Sequence, residues 1–351
     1  MNVRQATNRD EANWNEFVSD NFDSPYHLYG WKKLFENVYG YECPYLMAED
    51  NGEIVGVLPL AVTRSFLFGF WACSLPFLDY GGPLVRLDKT DIHRCLKSFS
   101  DHLPYVNDVD FFEIRSPPQH QAANGLQKMF EPGNVKYLSF LIKLDKSFDK
   151  IWQTAFDSDL RKKIKRAGKH GISIVERSLE KGVDDFYYVY LMSMKKLGSP
   201  PHRYEFFSTL PKMLGDKRIK FFQILRGNKP IGGALVFLGS SRMYYGYEVI
   251  APQYKTLRPA YLLYSEMLKW GCEHGFQFFD TGRTLHGSGV YLFKKQWKGE
   301  ENPLPYYYAG KRVTREDPRE KYAVFSELWG KLLPLKLTEK IGWHVKAGIG
   351  E

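Results

Sequence analysis

Two β-hairpin patterns, separated by about half the chain, place the strongest limit on how this chain folds. Residues 45–60 read as two apolar strands joined by an Asn-Gly turn at 51–52, and residues 219–238 read as a second pair of apolar strands, joined by the turn Arg226-Gly-Asn-Lys-Pro230. Asn-Gly between two apolar runs is a strong hairpin signal. Each pattern follows helical segments and has a glycine just inside its second strand, at Gly56 and Gly232. The repetition predicts two copies of one α/β unit.

The length of the chain also indicates two domains, because 351 residues exceed what one hydrophobic core usually serves. Hydrophobic residues make up 44% of the chain, which is enough for two cores. A change from a helical to a strand pattern after Glu131-Pro132-Gly133 predicts the boundary. We therefore predict an α/β fold with an N-terminal domain at 1–135, a C-terminal domain at 136–310 and a helical extension at 311–351.

The extension carries a wide apolar face, which predicts that it docks on its own domain. An interfacial membrane helix or a dimer contact is the alternative, because lysines flank that face. Its apolar residues are Tyr322, Val324, Phe325, Leu328, Trp329, Leu332 and Leu333.

Nothing in the sequence indicates export or a membrane span. The N-terminal residues lack the apolar core of a signal peptide, and the longest apolar run, at 66–78, is shorter than the roughly 20 residues that a membrane helix needs. A cytoplasmic protein is therefore expected. The cysteines are scattered without metal-ligand spacing, so we expect free thiols and no metal site. They are Cys43, Cys73, Cys95 and Cys272.

The densest positive charge lies in one predicted helix, within a chain of formal net charge +9. Leu160, Ile164 and Ala167 form its apolar stripe, Ser158 or Asp159 is the expected N-cap, and a stop is expected near residue 171. Cations on successive turns repel one another unless an anion is bound, although a solvated face is the alternative. The predicted anion- or phosphate-binding residues are Arg161, Lys162, Lys165, Arg166 and Lys169.

A glycine-rich loop after the strand-like run at 278–280 brings charges of both signs together. Asp280, Arg283 and Lys294 supply the charge, and glycines at 282, 287 and 289 let backbone N–H groups approach a ligand. This mixture suits a polar, anionic or carbonyl-bearing substrate. The alternative is a surface loop held by an ion pair between Asp280 and Arg283.

Three segments of the chain together resemble one protein family. They are the turn Leu75-Pro-Phe-Leu-Asp79-Tyr80-Gly-Gly-Pro83, the basic helix at 158–171 and the loop at 280–297. In this order and at these separations, the chain resembles the FemAB-related branch of the GNAT superfamily. That branch includes peptidoglycan aminoacyltransferases of the FemX type and CelD-like (BioF2-like) acyltransferases. The resemblance implies two tandem GNAT-like domains, each a mixed, mostly antiparallel sheet flanked by helices.

The resemblance also implies transfer of an aminoacyl or acyl group to an amine of a cell-wall or polysaccharide precursor. The attacking amine must be neutral, and the tetrahedral oxyanion needs positive or N–H donors. Asp280 is the candidate for the acid/base or amine-orienting role, with Arg283 and Lys294 as electrostatic clamps. Tyr245 and Tyr247 are expected to share one strand face, where core packing is the alternative to lining the cleft. The predicted substrate-binding residues are Asp79, Tyr80, Tyr245, Tyr247, Gly282, Gly287, Gly289 and Trp297.

The donor is expected to be aminoacyl-tRNA rather than acetyl-CoA. GNAT enzymes that use acetyl-CoA hold its pyrophosphate with a glycine-rich loop at a helix N-terminus. Residues 254–261 occupy the corresponding place, lack those glycines and include Pro259, which has no N–H. The phosphates of tRNA would instead contact the basic helix.

Two alternatives stay open: an acyl-CoA-dependent N-acyltransferase, and a non-catalytic binding protein on the same fold. The expected partner is a nucleotide-linked cell-wall or polysaccharide precursor, with peripheral membrane contact left open. No tightly bound cofactor and no DNA are expected.

Overall fold

The computed structural model describes residues 1–117, 125–133, 136–145, 147–311, 327, 329–330 and 333–350. The chain divides into two compact units. The first contains Met1–Leu138, Asn302–Asp317 and Ala347–Glu351, and the second contains Ser139–Glu301 and Pro318–Lys346. Both units combine sheets with helices, so the predicted α/β class is confirmed. The domain boundaries stay predictions, and within the apolar face of the extension residues 322, 324, 325, 328 and 332 lie outside the described residues.

The first unit packs its helices on two sheets, whose strand orders are β1-β2-β3-β6 and β4-β5-β7-β17-β8. The strands are β1 (Asn2–Gln5), β2 (Leu46–Asp50), β3 (Glu53–Leu58), β4 (Ala61–Ser65), β5 (Gly69–Cys73), β6 (Leu84–Val85), β7 (Phe111–Arg115), β8 (Glu131–Pro132) and β17 (Tyr306–Ala309). The helices are α1 (Glu11–Phe22), α2 (Gly30–Tyr39) and α3 (Ile92–Asp101).

The first predicted hairpin is confirmed, because β2 and β3 pair antiparallel. Asn51 and Gly52 connect them with φ angles of 52° and 82°. Both angles lie in the left-handed region, which asparagine and glycine tolerate better than other residues. The local turn chemistry is therefore sufficient to predict this pair of strands.

The second unit contains a sheet in the order β10-β11-β12-β13-β14-β9-β15. The strands are β9 (Tyr137–Lys143), which begins in the first unit, β10 (Ile172–Arg177), β11 (Ile219–Arg226), β12 (Lys229–Leu238), β13 (Arg242–Ile250), β14 (Phe278–Asp280), β15 (Thr284–Leu285) and β16 (Glu300–Pro303). The helices are α4 (Phe148–Thr154), α5 (Ser158–Gly168), α6 (Leu179–Leu197), α7 (Tyr204–Ser208), α8 (Leu210–Leu214), α9 (Pro259–Glu273), α10 (Gly289–Lys295) and α11 (Leu335–Ile349).

Helices cover both faces of this second sheet. Leu160 of α5 and Leu263 of α9 pack in one core cluster with Val236 of β12. On the other face, Phe186 of α6 contacts the ring of Phe221 on β11, with centroids 5.6 Å apart. The second predicted hairpin, β11 with β12, is confirmed as the antiparallel centre of this sheet. No described helix is long and apolar enough to cross a membrane.

The basic helix predicted from the charge cluster is α5, and its apolar stripe of Leu160, Ile164 and Ala167 is buried as predicted. The predicted N-cap was wrong by one residue. Asp157 caps the helix, because its Oδ1 accepts a hydrogen bond of 2.8 Å from the backbone N–H of Leu160. A side chain at Ncap reaches that N–H, whereas one at position 158 or 159 already lies inside the first turn.

Candidate active site

The second sheet opens between two parallel strands. Pairing between β13 and β14 runs from Arg242 with Phe278 to Tyr244 with Asp280. Strand β13 continues to Ile250, while the chain after β14 turns away at Gly282, where φ is 73°. The carboxyl ends of diverging parallel strands expose strand surface to which a ligand has access. The candidate site lies at this opening.

A pocket of about 410 Å³ lies against the part of β13 that continues beyond this pairing. Its walls come from the second half of β13, the end of α6, the beginning of α9 with the segment before it, and α10. Volumes of roughly 300–1,000 Å³ are usual for small-molecule sites. Three residues predicted from the sequence line it: Tyr245, Gly289 and Lys294. Glu248, Lys255 and Arg258 line it as well and are not among the site residues predicted from the sequence.

Glu248 is the carboxylate of this pocket, and the hydroxyl of Tyr245 donates a hydrogen bond to it. Burial raises the pKa of Glu248 above the usual glutamate value, although the Tyr245 hydrogen bond and the charges of Lys294 and Lys255 act in the opposite direction. Burial and the nearby Glu248 charge raise the pKa of Tyr245, so its hydroxyl stays protonated. A carboxylate with a raised pKa is a stronger base than an ordinary one.

Lys294 is a buried cation at the edge of the pocket. Its ammonium donates to the carbonyl of Gly282 at 3.0 Å, to the carbonyl of Arg283 at 3.2 Å and to the hydroxyl of Thr284 at 2.6 Å. It also lies 5.8 Å from the ring centroid of Tyr245. Lys294 therefore holds the loop after β14 and places positive charge beside Glu248 and Tyr245.

The N-terminus of α9 supplies the cationic end of the pocket. Pro259 is the first residue of the helix, as the sequence indicates, and Lys255 and Arg258 precede it. Arg258 has φ of 60°, a left-handed conformation that costs a non-glycine residue on the order of 1 kcal/mol. The helix dipole and these two cations favour an anionic group at this end of the pocket.

Asp280 and its neighbours form the loop beside the opening. Asp280 is buried, and its Oδ1 accepts a hydrogen bond of 2.9 Å from the N–H of Gly282. Arg283 is half-buried, and Gly287 is exposed with φ of 75°. Neither Asp280 nor Arg283 lines the pocket of Glu248. Their catalytic roles stay predictions, and the hydrogen bond from the N–H of Gly282 to Asp280 shapes the turn.

The expectation that Tyr245 and Tyr247 share a strand face was wrong. Val236 is opposite Tyr245 while Leu235 is opposite Tyr247, so β13 has one extra residue there. This β-bulge interrupts the alternation of side chains. Tyr245 contacts the ring of Tyr264 with centroids 5.1 Å apart, and Tyr247 contacts Phe207 at 5.3 Å on the opposite face.

Trp297, another residue predicted to bind substrate, packs in the core of the second unit. Its side chain is fully buried, and its ring lies 5.3 Å from that of Phe156 and 5.2 Å from that of Tyr264. Since Tyr264 lines the pocket, Trp297 supports the pocket wall from behind. Its substrate-binding role stays a prediction.

The cations of α5 form a largely exposed surface. Lys162, Lys165, Arg166 and Lys169 are exposed, and Arg161 is half-buried with its guanidinium donating to the carbonyl of Trp152 at 3.2 Å. The neighbouring Lys163 donates to Gln296 at 2.8 Å and lies 5.7 Å from the ring centroid of Tyr261, which lines the pocket. The basic helix therefore lies beside the cationic end of the pocket.

Asp79 and Tyr80 lie on a strongly constrained turn of the first unit. The Asp79 carboxylate accepts a hydrogen bond of 3.3 Å from the hydroxyl of Tyr26. The backbone carbonyl of Asp79 accepts one of 3.2 Å from the hydroxyl of Tyr306. The ring of Tyr80 packs on Tyr26 with centroids 5.1 Å apart. Leu75 and Phe77, earlier in the turn, both have positive φ. These contacts account for the order of the turn, and substrate binding there stays a prediction.

The four cysteines are buried free thiols, as predicted. Burial raises the pKa of Cys95 to about 12 and also raises that of Cys43 and Cys272, so these thiols are weak nucleophiles. Among the described residues, no group of three or more His, Cys, Asp or Glu side chains is arranged to hold a metal ion.

The residues that line the pocket lie within a segment that matches the model of a known protein family. Residues 155–298 match the family model described as an acetyltransferase (GNAT) domain. The structure is similar to that of FemX, with a TM-score of 0.66, 14% identity, and coverage of 93% of this chain and 100% of FemX. It is also similar to L-PGS from Bacillus licheniformis, with a TM-score of 0.59, 11% identity, and coverage of 93% of this chain and 98% of L-PGS. No curated protein sequence matches the chain.

A tandem GNAT protein from the clavulanic acid biosynthesis pathway has a TM-score of 0.54 at 11% identity, and the match covers 90% of this chain and 99% of that protein. Because the sequence identities to these three proteins are between 11% and 14%, the structural similarity establishes a shared fold. The structural similarities and the family model together define a GNAT fold. The predicted resemblance is confirmed: the chain has the fold of the FemAB-like branch of the GNAT superfamily.

The raised pKa of Glu248 predicts how the stability of the folded protein changes with pH. Because the folded state binds this proton more tightly than the unfolded state, its contribution to stability is present at low pH and is lost as the pH rises through the folded-state pKa. Glutamine at position 248 does not ionise, so the variant does not lose stability in this way as the pH rises. The variant should therefore gain thermal stability relative to the wild type as the pH rises above the ordinary glutamate pKa of about 4.3. Melting temperatures measured from below to above that pKa test this, with the exposed Glu180→Gln as a control for charge removal, and a constant difference would contradict it.

Proposed function

We propose that this protein transfers an aminoacyl or acyl group to an amine, with Glu248 as the base that accepts the proton of the amine. The observation that carries the proposal is the position of Glu248: a carboxylate of raised pKa, in a 410 Å³ pocket whose other end is the cationic N-terminus of α9. A base and an anion-binding end in one pocket are what transfer from a phosphate-bearing donor requires.

The chemistry uses the charges around Glu248. The amine nitrogen attacks the carbonyl carbon of the donor, and its proton passes to the Glu248 carboxylate. Negative charge develops on the carbonyl oxygen, and the positive charge of Lys294, whose N–H groups donate to Gly282, Arg283 and Thr284, would stabilise it electrostatically. When the intermediate collapses, the bond from carbon to the leaving group breaks, and the leaving group takes up a proton.

Two features favour aminoacyl-tRNA as the donor and an amine of a cell-wall or polysaccharide precursor as the acceptor. Helix α5, whose outer face carries exposed cations, contacts Gln296 and the pocket residue Tyr261 through Lys163, so a polyanion extending out of the pocket would have these cations nearby. The fold is that of FemX. An acyl-CoA donor is the second candidate, because the GNAT family model matches and the N-terminus of α9 is arranged to hold a compact anionic group.

Donor binding provides the test. Lys255→Gln and Arg258→Gln should each weaken binding of the true donor by about 10-fold, since each removes a charged contact to phosphate. Both variants should also lower the salt dependence of binding. Titrations with aminoacyl-tRNA, uncharged tRNA and acyl-CoA identify the donor, and mass spectrometry of an added amine acceptor detects the new amide.

The exposed Lys217→Gln is the matched control, because it removes the same charge from the second unit away from the pocket. If both pocket variants bind donor as Lys217→Gln does, the donor phosphates lie elsewhere. If the wild type binds a donor but forms no amide with any amine offered, the non-catalytic binding protein becomes the better reading.

A further inference from the structure

We infer that the group transferred carries an apolar chain larger than acetyl; this rests on the proposed acyl or aminoacyl transfer. One wall of the pocket is apolar and comes from two helices. Met194 and Leu197 lie at the end of α6, and Val290 and Phe293 lie on α10. Two of these side chains are well exposed: Leu197 at 62% and Val290 at 55%. Covering them with an apolar group is favourable in proportion to the area removed from water.

The apolar wall is continuous with the reactive groups. Val290, Phe293 and Lys294 are spaced i, i+3 and i+4 on α10, so they share one helix face. Lys294 lies beside Tyr245, whose hydroxyl donates to Glu248. A carbonyl at Lys294 and Glu248 therefore has apolar side chains directly next to it, where the chain of an acyl group or the side chain of an aminoacyl group would extend.

The volume supports the same conclusion. The pocket of about 410 Å³ is within the usual range for a ligand of drug size, and it holds the cationic end and the apolar wall together. An acetyl group would leave Leu197 and Val290 uncovered. An apolar chain of several carbons would cover them, whether the donor presents it as a thioester of coenzyme A or as the aminoacyl ester of a tRNA.

The reaction balances in either case. The amine nitrogen forms a C–N bond to the carbonyl carbon and loses its proton to Glu248. The C–S bond of the thioester or the C–O bond of the ester breaks, and the released thiolate or ribose oxygen takes up that proton from Glu248, which is then ionised again. No oxidant, reductant or metal enters the step.

The experiment compares chain lengths in two arms on the full chain. One arm measures dissociation constants and amide formation for acetyl-, butyryl- and hexanoyl-CoA, and the other compares glycyl-tRNA with leucyl-tRNA. If methylenes enter the apolar wall, affinity should rise by up to about fourfold for each methylene buried. Leucyl-tRNA should likewise be preferred to glycyl-tRNA. The arm in which affinity rises with the size of the apolar chain shows whether acyl-CoA or aminoacyl-tRNA supplies the transferred group.

Matched variants locate the effect. Val290→Asn should flatten the trend, and Leu197→Asn, on a different helix, should do the same if the first variant folds poorly. Leu292→Asn is the control: Leu292 lies on α10, is 60% exposed and does not line the pocket, so the trend should persist. Circular dichroism checks that each variant is folded.

The outcomes separate this inference from the proposed function. Amide formation that is equally fast for acetyl and hexanoyl, or for glycyl and leucyl, would overturn the apolar-chain inference and leave acyl transfer standing. Affinity that rises with chain length without any amide formed would overturn the transfer reaction and support the apolar wall. If neither arm shows an amide product or binding that depends on chain length, both the proposed transfer reaction and the apolar-chain inference are overturned.

Discussion

Replacing Glu248 with glutamine should lower kcat by about 10²–10⁴-fold, the usual contribution of a general base. Glutamine keeps the size of the side chain and an oxygen that accepts from Tyr245, but its amide cannot take up the proton of the amine. Donor affinity should change little, since the cations at the N-terminus of α9 are untouched. Rates of amide formation and donor dissociation constants, measured on the same preparation, test both parts.

The pH profile gives an independent check on Glu248. In the wild type, kcat/KM should rise with pH through the raised pKa of this carboxyl, because only the ionised form is a base. The glutamine variant should lack that limb. A variant that retained the same pH limb would show that another group provides it.

Asp280→Asn decides between the two carboxylates. The Asp280 Oδ1 accepts from the N–H of Gly282, and asparagine keeps an oxygen at that position. If Asp280 only shapes its turn, the asparagine variant should retain most of its turnover. A large loss for Asp280→Asn together with an active Glu248→Gln would assign the base to Asp280, as the sequence predicts. If the wild type has no turnover with any donor, the binding-protein alternative gains support.

Replacing Arg115 with methionine should lower the free energy of unfolding by about 3–5 kcal/mol, the usual effect of breaking a buried ion pair. Arg115 is fully buried in the first unit, and its Nε lies 2.5 Å from Oε1 of Glu113. Its Nη1 also donates to the carbonyl of Leu78 at 2.9 Å, in the turn that carries Asp79 and Tyr80. Removing the guanidinium leaves the Glu113 carboxylate buried without its cation. Urea denaturation measures the loss.

Two further variants make this result specific. Arg86→Met breaks the exposed pair of Arg86 with Asp88 and should change stability little, because exposed ion pairs contribute little. Arg115→Met combined with Glu113→Leu should recover most of the lost stability, since a well-packed apolar pair replaces a buried ionic pair at small cost. An Arg115→Met loss no larger than that of Arg86→Met would contradict the argument.

Local patterns predicted the elements whose causes are local. Asn51-Gly52 indicated its hairpin because both residues tolerate the left-handed backbone found there. The apolar stripe of α5 was predicted because side chains i, i+4 and i+7 share a helix face. The faces of β13 were predicted wrongly, because the bulge at Gly246 follows from the register with β12, and the isolated glycine within the strand is a weak local sign of it.

For the candidate site, the sequence by itself pointed to the charged loop at 280–297, to the basic helix and to the GNAT-like family. Only the tertiary structure brought Glu248, Lys255 and Arg258 into one pocket with Tyr245 and Lys294. The physical reason is that the pocket exists where β13 and β14 stop pairing, beyond Tyr244 and Asp280. Those strands are far apart in the chain, so their divergence depends on long-range pairing that neighbouring residues do not encode.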